Sequence, residues 1–177
     1  RKIVSECSLY FLCAEVFKRG KGEGNFLIDC DWKTNGDKRM HSIKNIANFK
    51  GLTIMIENPV GSIRTGVDAH GDKWQTKFHY PYGYIYGTKG LDKEGVDVFI
   101  GNNPTSDRVF IIHQTDGNGI FDEDKVMLGF SSKEEARDAY LAHYNTQGYM
   151  GKVIEMPFFE FKTRMLSKEG REGKAIY

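Results

Sequence analysis

At 177 residues the chain has the length of one domain with room for a short appendage, enough to bury a sizeable core. Its 40% hydrophobic and 28% charged content is ordinary for a globular protein, and a net charge of +1 supplies no bulk field for nucleic acid or an anionic membrane. No nucleic-acid partner is therefore expected. Cys7, Cys13 and Cys30 cannot all pair within the chain and none lies in a C-x-x-C motif, which points to reduced thiols and a cytoplasmic setting.

In chain order, Ser8 to Phe17 is too short for a bilayer and is interrupted by Glu15, so no membrane span is expected. A start at Arg1 suggests excision from something longer. Residues 1–47, with a glycine-rich linker at Lys18 to Gly24, read as an N-terminal extension of unknown role that carries no catalytic group. From Leu52 the pattern sharpens. Leu52, Ile54 and Ile56 alternate with Thr53, Met55 and Glu57 as in a half-buried strand, and Gly66 to Gly71 reads as a hairpin turn. Further strands are predicted near Gly83 to Gly87, Val96 to Ile100, Val109 to Gln114 and Lys125 to Phe130. A capping box at Ser131 to Glu134 opens a helix carrying Ala136, Ala139, Tyr140, His143 and Tyr144. A strand at Lys152 to Met156 follows, then a second helix from Pro157 to about Leu166. The charged tail, residues 167–177, is expected to fray. The fold class this implies is mainly β (α+β): a small antiparallel OB-like β-barrel over about residues 50–130, flanked by two C-terminal helices.

The densest chemistry lies in Tyr82-Gly83-Tyr84-Ile85 and the following Asp92-Lys93-Glu94-Gly95-Val96-Asp97-Val98. Strand alternation puts Val96, Val98 and Ile100 on one face and Asp97 with Phe99 on the other. A carboxylate beside a large aromatic needs a cation or several donors. Asp92 and Glu94, in the turn just upstream, can converge on the same point, and a hard divalent ion relieves their repulsion. Taken singly, Asp92 and Glu94 read as turn solvation, Lys125 as a strand-edge charge, and Arg64 and Lys77 as surface charges unless the fold aims them inward. His113 and His143 read as structural, and Tyr84 and Tyr140 as core.

These motifs, with Glu57-Asn58-Pro59-Val60-Gly61-Ser62-Ile63-Arg64 ahead of them, resemble soluble family I inorganic pyrophosphatase. The variant most similar is the divergent pyrophosphatase-like domain of bacteriophage polyvalent proteins. It shares Asn48-Phe49-Lys50-Gly51-Leu52, the run Phe121-Asp122-Glu123 with Lys125 to Phe130, and Glu155-Met156-Pro157 to Phe161-Lys162. The resemblance spans about residues 48–166 and implies a metal-dependent hydrolysis of pyrophosphate to phosphate by a metal-activated water, in the host cytoplasm if phage-encoded. It implies Asp92 and Asp97 as metal ligands, Glu57 at the cluster edge, and Glu94 where the family has a water-activating aspartate. Asp116, Asp122 and Glu123 stand as further metal candidates, among which the sequence does not choose. Tyr82, Lys125, Tyr144 and Arg64 match phosphate-contacting positions, and Lys77 joins Arg64 and Lys125 as a candidate clamp on the outer oxygens. The implied cofactor is Mg²⁺, with Mn²⁺ as a substitute, and the substrate pyrophosphate or another small phosphate ester. A homo-oligomer and a place within a larger phage polypeptide are compatible with it. Two departures, Glu for Asp at position 94 and Asn145 for a cationic residue after Tyr144, keep an inactive binding or scaffold module as an alternative. A nucleotide pyrophosphate is another, with Phe78, Tyr80 and Tyr86 to stack a base.

Overall fold

Alternation along Leu52–Asn58 (β2) buries Leu52, Ile54 and Ile56 on one face, yet Met55 on the other face is buried too. Both sides of the sheet are therefore covered. The computed structural model describes residues 42–67, 71–144 and 147–173, which fall within one unit, Asp37–Tyr177. The three cysteines, the N-terminal extension up to residue 41 and Asn145 lie outside the described residues.

The other strands are β1 (Asn45–Phe49), β3 (Ile63–Val67), β4 (Lys73–Lys77), β5 (Tyr82–Ile85), β6 (Asp97–Ile100), β7 (Arg108–Thr115), β8 (Phe121–Leu128) and β9 (Met150–Pro157). β3 and β4 form a separate antiparallel hairpin, as expected, though the tip at 68–70 lies outside the described residues. The rest form one sheet in the order β1-β2-β5-β6-β8-β7-β9, antiparallel except for β6 beside β8. The mainly β fold with C-terminal helices is as read from the sequence. The barrel is not closed, because the order runs open from β1 to β9. The reason is visible in the packing: helices cover both faces, so the sheet has no need to bury one face against itself. Helix α1 (Lys133–Leu141) contributes Ala136, Ala139 and Tyr140 to a core with Phe78, Tyr82, Phe99, Phe110, Ile112 and Met127. Helix α2 (Phe158–Leu166) contributes Phe158, Phe161 and Met165 to the opposite core with Leu52, Ile54, Val98, Ile111 and Val126.

Two local expectations shift. The α1 cap is Ser132, whose Oγ accepts from Glu135 N at 3.1 Å while Glu135 Oε2 accepts from Ser131 N at 2.7 Å, one residue later than the predicted box. The tail does not fray through its first part. Lys168–Glu172 forms α3, capped by Ser167, and the Gly170 carbonyl accepts from Lys89 N at 2.9 Å. A polar segment is held here by backbone bonds that the charge pattern does not display.

Gly83 shows why the Tyr-Gly-Tyr strand carries its glycine. A Cβ there would overlap the Met55 carbonyl oxygen of the neighbouring strand. Gly83→Ala should therefore cost at least about 1–3 kcal/mol, as overpacking against backbone does. Urea unfolding would show it as a lower midpoint, and an unchanged midpoint would contradict the register of β2 on β5.

Candidate active site

The face of the sheet under α1 carries a polar cluster within its aromatic core. Asp97 on β6 stands directly opposite Lys125 on β8, and Tyr82 on β5 reaches Asp97 from the other side. Lys125 Nζ lies 2.6 Å from Asp97 Oδ2, 2.7 Å from Glu123 Oε1 and 3.0 Å from the Tyr82 hydroxyl oxygen. The Tyr82 hydroxyl donates to Asp97 Oδ2, and the ammonium also sits 5.3 Å from the centre of the Tyr82 ring. Asp97 is only 6% exposed and Lys125 only 3%. The sequence required a cation or several donors for Asp97; the fold supplies both.

Burial shapes every titration here. It pushes the Tyr82 hydroxyl well above the ordinary tyrosine range, opposed by Lys125 and reinforced by Asp97, so Tyr82 stays a neutral donor. Burial opposes charge on Lys125, but the carboxylates of Asp97 and Glu123 beside it outweigh that and hold its pKa well above the usual lysine value. Burial raises Glu123, with Lys125 pulling the other way and Asp97 adding to the rise. Tyr144 is raised mainly by burial, with Lys125 opposing and Glu123 and Asp97 adding, so it is felt electrostatically by the same cluster.

Among the acidic candidates, Asp92, Asp97 and Glu123 line one narrow cleft, together with Asp124. The other candidates go elsewhere. Asp116 closes the tip of the β7–β8 hairpin, accepting from Asn118 N at 2.8 Å and Ile120 N at 2.9 Å, and these bonds hold its carboxyl below the usual range. Asp122 accepts from Gln114 Nε2 at 3.1 Å. Glu57 accepts from Ser42 Oγ at 2.7 Å. Glu94 is exposed in the turn, where its backbone N–H donates to Asp92 Oδ1 at 3.0 Å. Among the described residues no three His, Cys, Asp or Glu side chains form a ready metal-binding group.

The cationic candidates divide. Arg64 lies opposite Thr76 on the hairpin, and Thr76 Oγ1 donates to the His143 carbonyl at 3.4 Å. Arg64 also packs 6.0 Å from the Trp74 ring and bears electrostatically on Tyr144. Lys77 is adjacent to Thr76 and so projects from the opposite face of the hairpin, away from Arg64. One clamp built from both is not formed. Phe78 is buried among Tyr82, Phe99 and His143 and offers no face to a base, whereas Tyr86 is exposed.

His143 is structural. Its Nε2 accepts from His79 N at 3.0 Å, and its Nδ1 donates to the Ala139 carbonyl at 2.6 Å. Burial pulls its pKa below the ordinary histidine value, with the Ala139 bond opposing and His79 adding. Folding thus favours the neutral ring. Its contribution is present above the unfolded pKa of about 6.5 and is lost as pH falls through the lower folded value. Urea midpoints at pH 7.5 and 5.5 should differ more in the wild type than in His143→Gln. Equal differences would remove His143 from the acid sensitivity.

Sequence reading missed Gln114, Asp124 and the polar role of Tyr140. Gln114 carried a signal: it breaks the run Phe110, Ile112 on the α1 face of β7. Asp124 faces His113 across the strands, with its Oδ1 2.6 Å from His113 Nδ1.

The family model described as Inorganic Pyrophosphatase matches residues 35–166, most of the chain. The chain belongs to this family. The match opens upstream of residue 48, and the sheet itself begins at Asn45. No curated protein matches the chain. Tyr82, Asp97 and Lys125 all lie inside the matched segment. Cleft donors that are all oxygen suit a hard dication, so the residues present fit Mg²⁺ by donor type.

Proposed function

We propose that this chain hydrolyses inorganic pyrophosphate to phosphate with Mg²⁺, or Mn²⁺ in its place. The observation that carries this reading is the buried Lys125 ammonium held between Asp97 and Glu123, next to a cleft that Asp92 also lines, in a chain of the pyrophosphatase family. Asp92, Asp97 and Glu123 are the residues that would hold the ion. When bound, a divalent ion neutralises phosphate oxygens and lowers the pKa of water.

The chain's own groups do the rest. Lys125 places a fixed positive charge in a water-poor site, where it counts for more than at the surface. Tyr82 pins Asp97 through its hydroxyl, and the neutral Tyr144 with Arg64 offers a donor and a charge to the outer phosphate. Asp97 or Glu94 takes the proton from the attacking water. Phage affiliation, and a place in a larger polypeptide, rest on the resemblance of the segments Asn48 to Leu52 and Phe121 to Phe130 to the bacteriophage domain.

The test is phosphate release from pyrophosphate with and without Mg²⁺. Metal-dependent release is expected. A second reading, a binding module with weakened catalysis, is favoured by the exposed Glu94 and by the absence of a ready three-acid group among the described residues. Glu94→Asp separates the two. Higher turnover marks Glu94 as a weakened base, while inertness of both proteins at saturating Mg²⁺ leaves the binding module.

A further inference from the structure

We infer that Gln114 is a positioning residue that holds the Glu123 carboxylate toward the cleft and ties Asp122 back beside it, a role that rests on the dication-dependent reading above. Gln114 is 8% exposed, and its Nε2 donates to both Asp122 Oδ2 at 3.1 Å and Glu123 Oε1 at 3.0 Å. Its Oε1 accepts from the Tyr140 hydroxyl at 2.9 Å, and Tyr140 is fully buried on α1. The amide orientation follows from its partners. Carboxylates only accept, so a flipped amide would set its oxygen against two anions.

Backbone geometry makes this arrangement. Consecutive residues of a regular strand point to opposite faces, so Asp122 and Glu123 would not share one amide. Gln114 stands opposite Glu123 while Thr115 stands opposite Phe121, which leaves Asp122 as the extra residue of a bulge. The pairing of β7 with β9 also slips between Ile112 and Gln114. Bulges re-aim side chains, and here both irregularities meet at the one polar residue that bridges the pair. Glu123 Oε1 is thus fixed from two sides, by Gln114 and by Lys125.

Groups that orient ligating carboxylates typically change metal affinity by about 10–100-fold when removed. Mn²⁺ binding, followed by calorimetry and by the electron paramagnetic resonance of the free ion, tests this on the whole chain without substrate. Gln114→Met keeps the volume and loses the donor, and should weaken the Mn²⁺ Kd about 10-fold with turnover recovering at saturating Mn²⁺. Tyr140→Phe removes only the hydroxyl that steadies the amide, and should shift the Kd in the same direction by less. A folded variant of either kind with a lower Tm and an unchanged Kd overturns the inference and makes Gln114 a structural bridge. If wild type binds Mn²⁺ and hydrolyses pyrophosphate while both variants match it, the inference alone fails. If wild type binds no Mn²⁺, the dication-dependent reading fails and takes the inference with it.

Discussion

Lys125→Ala is expected to lower stability by about 3–5 kcal/mol and turnover by roughly 10²–10³. Read from sequence, Lys125 at a strand start is a solvated edge residue whose loss would touch catalysis alone. In the structure it is 3% exposed and its ammonium joins Asp97, Glu123 and Tyr82. Truncation leaves Asp97 without its cation in an aromatic core, the costly half of breaking a buried ion pair. For a domain of this size that corresponds to a fall in Tm on the order of 10 °C. Removing both charges together, as in Asp97→Asn with Lys125→Met, should recover much of the stability and none of the activity. Chemical denaturation of Asp97→Asn, of Lys125→Met and of the double variant closes the cycle. If the double variant is as unstable as the sum of the singles, the pair is not coupled and the buried network is not what holds these strands together.

Asp97→Asn is the second large effect. The side chain keeps its shape and one carbonyl oxygen, so Tyr82 and Lys125 retain an acceptor, while Glu123 becomes the nearer anion for the ammonium. Loss of stability should be smaller than for Lys125→Ala, because no carboxylate is stranded. The effect on function should be larger than on fold: weaker Mg²⁺ binding and turnover lower by roughly 10²–10³, since a negative ligand has become neutral. Titration of Mg²⁺ or Mn²⁺ against both proteins decides. Equal affinity in wild type and variant would remove Asp97 from the metal site and leave it as the structural partner of Lys125.

The phase of each strand was legible in the sequence because a two-residue period is local. The division of Val96, Val98 and Ile100 from Asp97 and Phe99 holds in the two cores. The two helices hold as well, although the first is capped by Ser132, one residue later than the predicted box, and ends at Leu141, short of His143 and Tyr144. The demand of Asp97 for a counter-charge was equally readable, because burial of an unpaired carboxylate is unfavourable wherever it occurs.

Which group meets that demand was decided only by tertiary structure. Lys125 stands 28 residues from Asp97 and reaches it because β8 returns from the β7 hairpin to lie parallel to β6. Likewise, Asp116, Asp122 and Glu123 read alike as acids near one turn. A hairpin tip takes Asp116, a bulge gives Asp122 to Gln114, and only Glu123 meets Lys125. Closure too lay beyond the strand pattern, because an open sheet and a barrel share the same alternation. Helices α1 and α2, each covering one face, settle it for the open sheet. Local periodicity determines which residues face inward, whereas pairing between distant strands determines which of them meet.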